Sequence, residues 1–174
     1  MHSAPEALQP AALARALARQ SRSIMELLEG RSPASMRWKA DPSTWSLLEC
    51  LHHLLDEERL DFRLRIQKLL ADEPWPSIDP AAWVLERAYN EQAPERILEE
   101  FQTQRAASID WIQGLATLDL ARTREHPQLG PLSVGDLCAA WLAHDLLHLG
   151  QLTRLSLALL RQQGAPYRPD YAGG

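Results

Sequence analysis

The stretch "AAWLAHDLLHLGQLTRL", residues 139–155, decides the fold. At about 100° per residue, Val134, Leu137, Trp141, His144, His148, Leu152, Leu155 and Leu159 fall on one stripe. That spacing of threes and fours is the mark of a helix that buries one face. Two imidazoles, four residues apart, stand among the leucines on the buried face. Each carries a donor and an acceptor, and burying either unpartnered is costly. Two arrangements remove the cost. Each ring can meet a neighbouring carbonyl or carboxylate, or both can bind one divalent ion; a pair at i, i+4 within a core stripe favours the ion.

An ion in such a site wants a third protein ligand. In helical-pair zinc peptidases it follows downstream, but here no histidine and no glutamate follow His148, and Asp145 stands where those enzymes carry glutamate. The third ligand is therefore expected from another helix.

Working outward, three more segments carry helical periodicity. The first runs from about Pro10 to Glu29 and stops at Gly30. The second opens at "TWSLLECLHHLLDEE", where Ser46 and Glu49 have capping-box spacing, and is expected to continue to about Leu70. The third starts at Pro94 and ends at Gln113, before Gly114. The helix of the opening stretch is expected to follow a cap at Ser133 and Asp136 and to end near Gln163. Between helices two and three lies a proline-rich connection, 72–93, with one short helical turn expected near 81–89. Its Trp75, Trp83 and Tyr89 are candidates to line a pocket over the metal. The segment "REHPQLGPL" reads as a loop, the tail from about 165 as irregular, and no segment as a strand. Four amphipathic helices predict an all-α, antiparallel four-helix bundle as a single domain over 1–174, with a crossover permitted by the long connection.

Helix two has two stripes. Leu47, Leu51, Leu54, Leu55, Phe62 and Leu69 form the broader one, and Cys50, His53, Glu57, Leu60 and Leu64 a narrower one suited to a second neighbour. His53 lies within the narrower stripe and His52 at the edge of the other, which favours His53 as third ligand. Glu57 and Asp56 are candidates to orient an imidazole or to line the open face of the ion. Glu58 falls in the leucine stripe and is expected to make a structural hydrogen bond. Cys50 reads as a small buried hydrophobe, with a fourth ligand as the alternative.

The composition agrees. Of 174 residues, 45% are apolar and 24% charged, as in soluble globular proteins. A net charge of −5 with no basic block argues against a nucleic-acid surface. Apolar runs too short to span a bilayer, no secretory signal in "MHSAPEALQP" and two cysteines far apart point to a cytoplasmic protein with reduced thiols.

The motifs "WSLLECLHHLLDEE" at 45–58 and "LGPLSVGDLCAAWLAHDLLHLGQL" at 129–152, with "YNEQAPERILEEFQTQRAASIDWIQGL" at 89–115, resemble the DinB/YfiT-like superfamily. The resemblance spans nearly the whole chain. It implies a four-helix bundle that binds a divalent metal, commonly nickel or zinc, through His53, His144 and His148. Gln151, in "HLGQL", also matches the family pattern, whereas His52 occupies a position that is usually apolar there. Characterised members include thiol-dependent enzymes, such as mycothiol-dependent maleylpyruvate isomerase and bacillithiol transferases. The expectations are therefore a metal-dependent thiol S-transferase or hydrolase acting on a small molecule, with a low-molecular-weight thiol as co-substrate. The alternative is a non-catalytic, metal-stabilised homodimeric binding or stress-response module.

Overall fold

The computed structural model describes residues 8–172, so the N-terminal residues read above for a secretory signal lie largely outside it. Four long helical units make a bundle: α1 (Pro10–Leu28), the pair α3 (Leu47–Leu60) and α4 (Phe62–Leu70), α6 (Pro94–Gln113) and α7 (Val134–Gln163). Short helices α2 (Pro33–Arg37) and α5 (Pro80–Glu86) sit in the connections. The expected caps form. Ser46 with Glu49, and Ser133 with Asp136, each close a reciprocal capping box that satisfies amides the helix cannot.

Side-chain contacts fix the directions. Arg105 reaches Leu17 O while Gln102 reaches Glu29, so α1 and α6 are antiparallel. Cys50 meets Gln151, His53 meets His144 and Glu58 meets Trp141, so α3 and α7 are antiparallel too. Gln20 with Leu142 O and Arg31 with Ser156 make α1 and α7 parallel. Arg59 with Glu100 and Arg63 with Gln104 make α3–α4 and α6 parallel. Around the bundle the order is thus α1, α6, α3–α4, α7. The four-helix bundle is present, and the crossover that the long connection permits is used to place α6 beside α3.

Two local features differ from expectation. Helix two breaks at Asp61, whose φ of −120° and ψ of −99° end α3 and start α4. The segment read as a loop contains a hairpin, β1 (Thr123–His126) and β2 (Gly130–Ser133), paired from Thr123↔Ser133 to His126↔Gly130. His126 Nδ1 accepts the amides of Gln128 and Leu129, and Gly130 takes a φ of +74°, so side-chain capping and one glycine make the turn.

The apolar interior falls into two lobes. One gathers Ile24, Leu28, Leu51, Ile97, Phe101 and Leu159, and the other Leu13, Leu17, Ile66, Ile112, Val134 and Trp141. Polar side chains stand between them. Arg105 makes a bidentate pair with Asp145, at 2.6 and 3.0 Å, and meets Glu58 at 2.7 Å. Ser108 and the Trp141 indole donate to the same Glu58 carboxylate. This is the structural partner expected for Glu58. One guanidinium faces two carboxylates, so the layer carries a formal charge of −1 in the middle of the bundle. Residues 46–58 are buried on every side, which accounts for the two stripes of helix two.

Candidate metal centre

The capping box at Ser46 sets the phase of α3, and the antiparallel packing of α7 then turns His53 toward His144 and His148. His144 Nε2 lies 3.1 Å from His53 Nε2 and 3.1 Å from His148 Nε2. All three ligand nitrogens fall within 4.8 Å of one another, a group that could hold a metal ion. Hydrogen bonding alone satisfies this arrangement poorly. The central Nε2 has either one proton or one lone pair, so it cannot serve both neighbours well.

All three rings are harder to protonate than a free imidazole. Burial, then the neighbouring imidazoles, pushes His53 down to about 3. Burial, His148 and then the Arg105 charge push His144 down to about 3. His148 is also lowered by burial, with Gln151 and Asp145 opposing the shift. An Nε2 lone pair requires the proton on Nδ1. For His148 that proton has an acceptor, Gln151 Oε1 at 2.8 Å. His53 Nδ1 faces Glu57 Oε1 at 3.8 Å, too far for a hydrogen bond, and neither atom has another partner. Burial and the Asp61 carboxylate raise Glu57 to about 9, so it is an uncharged acid at neutral pH.

The other candidates are placed elsewhere. Asp56 accepts from Tyr89 at 2.5 Å and Arg87 at 2.6 Å, fastening the long connection to α3. Asp145 follows His144 on α7 but turns to Arg105. His52 stacks on Tyr89 at 3.9 Å and stays out of the triad. Cys50 Sγ is 3.5 Å from His148 Nδ1, on the far side of that ring from Nε2, and burial pushes its thiol up to about 12. It therefore does not close the cluster as a fourth ligand. Glu57 and Gln151 are the two candidates that face outer nitrogens of the triad.

The three rings of the long connection do not cover the triad. Tyr89 covers His52, Trp75 packs on Arg65 and His126, and Trp83 lies against Arg87. The triad's flanking rings are Trp45, 5.1 Å from His53 and 6.2 Å from His148, and Phe62, 5.2 Å from His144. In the sequence Phe62 belongs to the leucine stripe, and Trp45 stands outside both stripes of helix two. The signal for Trp45 was its position directly before the cap at Ser46, level with the first turn of α3.

Among the described residues no helix is long and apolar enough to cross a membrane. No curated protein matches the chain. A solved structure matches with a TM-score of 0.75 at 16% identity, covering 94% of this chain and 93% of the other. It is YfiT from Bacillus subtilis, described as "a probable metal-dependent hydrolase with an unusual four-helix bundle topology". The likeness extends the fold over almost the full length of both chains. The family profile of the DinB superfamily matches residues 16–152, and the chain belongs to that superfamily.

Proposed function

We propose that this protein is a divalent-metal-dependent enzyme whose ion, nickel or zinc, is held by His53, His144 and His148. The observation that supports this is the convergence of three neutral Nε2 atoms with no fourth protein donor among the described residues. Structural zinc sites are closed by four ligands, and catalytic ones keep a position open. An ion there would supply Lewis acidity at its free positions, lowering the pKa of a water or thiol that docks. The chain's own groups do the rest. Gln151 holds the His148 proton on Nδ1, Glu57 Oε1 faces His53 Nδ1 as an oxygen acceptor, and Trp45 and Phe62 flank the triad on two sides. The buried −1 layer, with Asp145 next to His144, favours a dication nearby.

The transferred nucleophile is a low-molecular-weight thiol or water, and the reading extends to this chain the hydrolase description of its structural relative. The test is metal content per chain after dialysis, with turnover of a panel of thiol–electrophile pairs and esters. His53→Ala, His144→Ala and His148→Ala should each lose metal and turnover, and His52→Ala should keep both. Retention of metal in all four variants would refute the site. In cobalt-substituted protein, a thiol that changes the visible spectrum identifies the transferase, and an indifferent spectrum with ester turnover the hydrolase.

One observation favours a second reading, a metal-stabilised dimeric module without catalysis. Leu146, Leu147, Leu157 and Leu160 are exposed on the outward face of α7, beside the exposed Ala139 and Ala143. Asp136 at one end of that face and Arg161 at the other would meet if a second copy packed antiparallel. Light scattering should then show a dimer that Leu147→Glu splits. A metal-loaded dimer with no turnover and no thiol response would establish this reading over the first.

A further inference from the structure

Beside the triad, on the α4 side of α7, the surface opens into a cleft that the metal ligands do not use. Its two lobes, about 370 and 380 Å³, share Arg65, Ile78, His126 and Gln128. The inner lobe reaches Phe62 and, on α7, Leu137 and Ala140. Ala140 stands one helical turn before His144 on the same side of the helix, and Phe62 is the ring that touches His144. The inner lobe therefore begins where the triad ends. The outer lobe runs out over Trp75, so the long connection and the hairpin tip form its walls.

The polar groups of the cleft have a defined polarity. Residues 53, 57, 61 and 65 follow one another at intervals of four along α3 and α4. His53 faces Glu57, Glu57 is hydrogen-bonded to Asp61, and Asp61 pairs with Nε of Arg65. The one acid lining the cleft is thus taken up by the Glu57 carboxyl and a guanidinium edge. Facing the space are donors. Arg65 keeps its terminal nitrogens beyond Nε, and Gln128 brings an amide. His126 Nδ1 accepts two backbone amides, which leaves the ring proton on Nε2. The remaining wall is apolar: Phe62, Ile78, Leu132, Leu137 and the small Ala140.

We infer that this cleft is the substrate-binding site and that it takes a small amphipathic carboxylate, its head on Arg65, His126 and Gln128 and its apolar body over Ala140 toward the triad. Arg65 matches a carboxylate as a planar fork. A cleft mostly apolar with a few convergent polar groups is the usual form of a small-molecule site. The inference rests on the metal-centre reading only for which end of the ligand reacts.

Titration calorimetry of the full chain with octanoate and octan-1-ol tests it, in metal-loaded and chelator-treated protein alike. Octanoate should bind at least tenfold more tightly than octan-1-ol in both forms, so a failed metal site would not hide the result. Ala140→Trp, at an exposed position, should keep helicity and metal content while weakening octanoate at least tenfold. Arg65→Gln should erase the preference for the carboxylate. Should that variant fail to fold, Gln128→Glu at the exposed hairpin tip should weaken octanoate tenfold and leave octan-1-ol unchanged. Equal binding of acid and alcohol, or octanoate binding indifferent to Ala140→Trp, would overturn the assignment.

Discussion

Gln151 sits one turn beyond His148, and its amide oxygen is the acceptor for that ring's Nδ1 proton. Gln151→Leu would leave the proton buried beside Cys50 and free the ring to rotate. Metal affinity should fall about 10- to 100-fold, the usual effect of removing an outer partner of a ligand. Competition with a chromophoric chelator measures it, and Gln151→Glu, which keeps an acceptor, should retain most of the affinity. How such residues could be read from the sequence depended on which contacts are local. His144 and His148 lie about one turn apart on one helix, so spacing alone revealed them, whereas Gln151 was legible only through the family resemblance. Glu58 was legible as a buried anomaly in a leucine stripe, but its partner was not. Arg105 lies on the parallel neighbour α6, and nothing in the sequence states which helices become neighbours. Asp145 illustrates the same limit in reverse. Adjacent to His144 in sequence, it points about 100° away around the helix and meets Arg105 instead.

At the scale of elements, caps and stops were legible because they are chemistry of four consecutive residues. Ser46 with Glu49, Pro94 opening α6 and Gly164 after α7 all bound helices where the sequence placed them. The break at Asp61 was hidden, since the residues around it keep helical spacing on both sides. Its stabilising contacts, Asp61 with Arg65 and with Glu57, are ordinary i, i+4 pairs that a continuous helix would also allow. The hairpin was hidden for another reason. Four-residue strands are too short for alternation to stand out, and the turn is held by the His126 side chain. Gly130 tests how much that turn matters. No atom lies within 4 Å of a Cβ built there, so Gly130→Ala would suffer only from its φ of +74°. The variant should lose about 1 kcal/mol in urea denaturation, with metal content unchanged.

Across the whole molecule, the buried titratable groups set opposing limits on stability without metal. His53 and His144 bind protons near 6.5 when unfolded but only near 3 when folded. Between those values the unfolded state takes up more protons, so their contribution is complete above about 6.5 and is lost as pH falls. Glu57 acts with the opposite sign. Its folded value near 9 lies above the ordinary 4.5, so its contribution is complete below 4.5 and is lost as pH rises toward 9. Urea midpoints of chelator-treated protein should therefore decline on both sides of a near-neutral maximum. Glu57→Gln, uncharged at every pH, should flatten the alkaline side and steepen the acid side between about 4.5 and 6.5. A saturating metal should raise the midpoint in the wild type and not in the His144→Ala variant, because it binds only the native state.

The order of helices around the bundle also bears on how fast the chain finds its fold. Of the three pairs of bundle helices consecutive in sequence, only α3–α4 and α6 lie side by side, and they are parallel, joined by the long connection. The bundle helices thus supply no antiparallel helix hairpin, the local unit from which an up-and-down bundle can grow. The contacts of α1 with α7, and of His53 with His144 across 91 residues, join distant parts of the chain. Closing such loops costs chain entropy before any contact rewards it, and folding rate falls as the mean separation of contacts rises. Stopped-flow refolding should accordingly be slower than for an up-and-down bundle of equal length and stability. His53→Ala, in metal-free conditions, should change the unfolding arm more than the folding arm, because a contact spanning 91 residues is expected to form after the transition state.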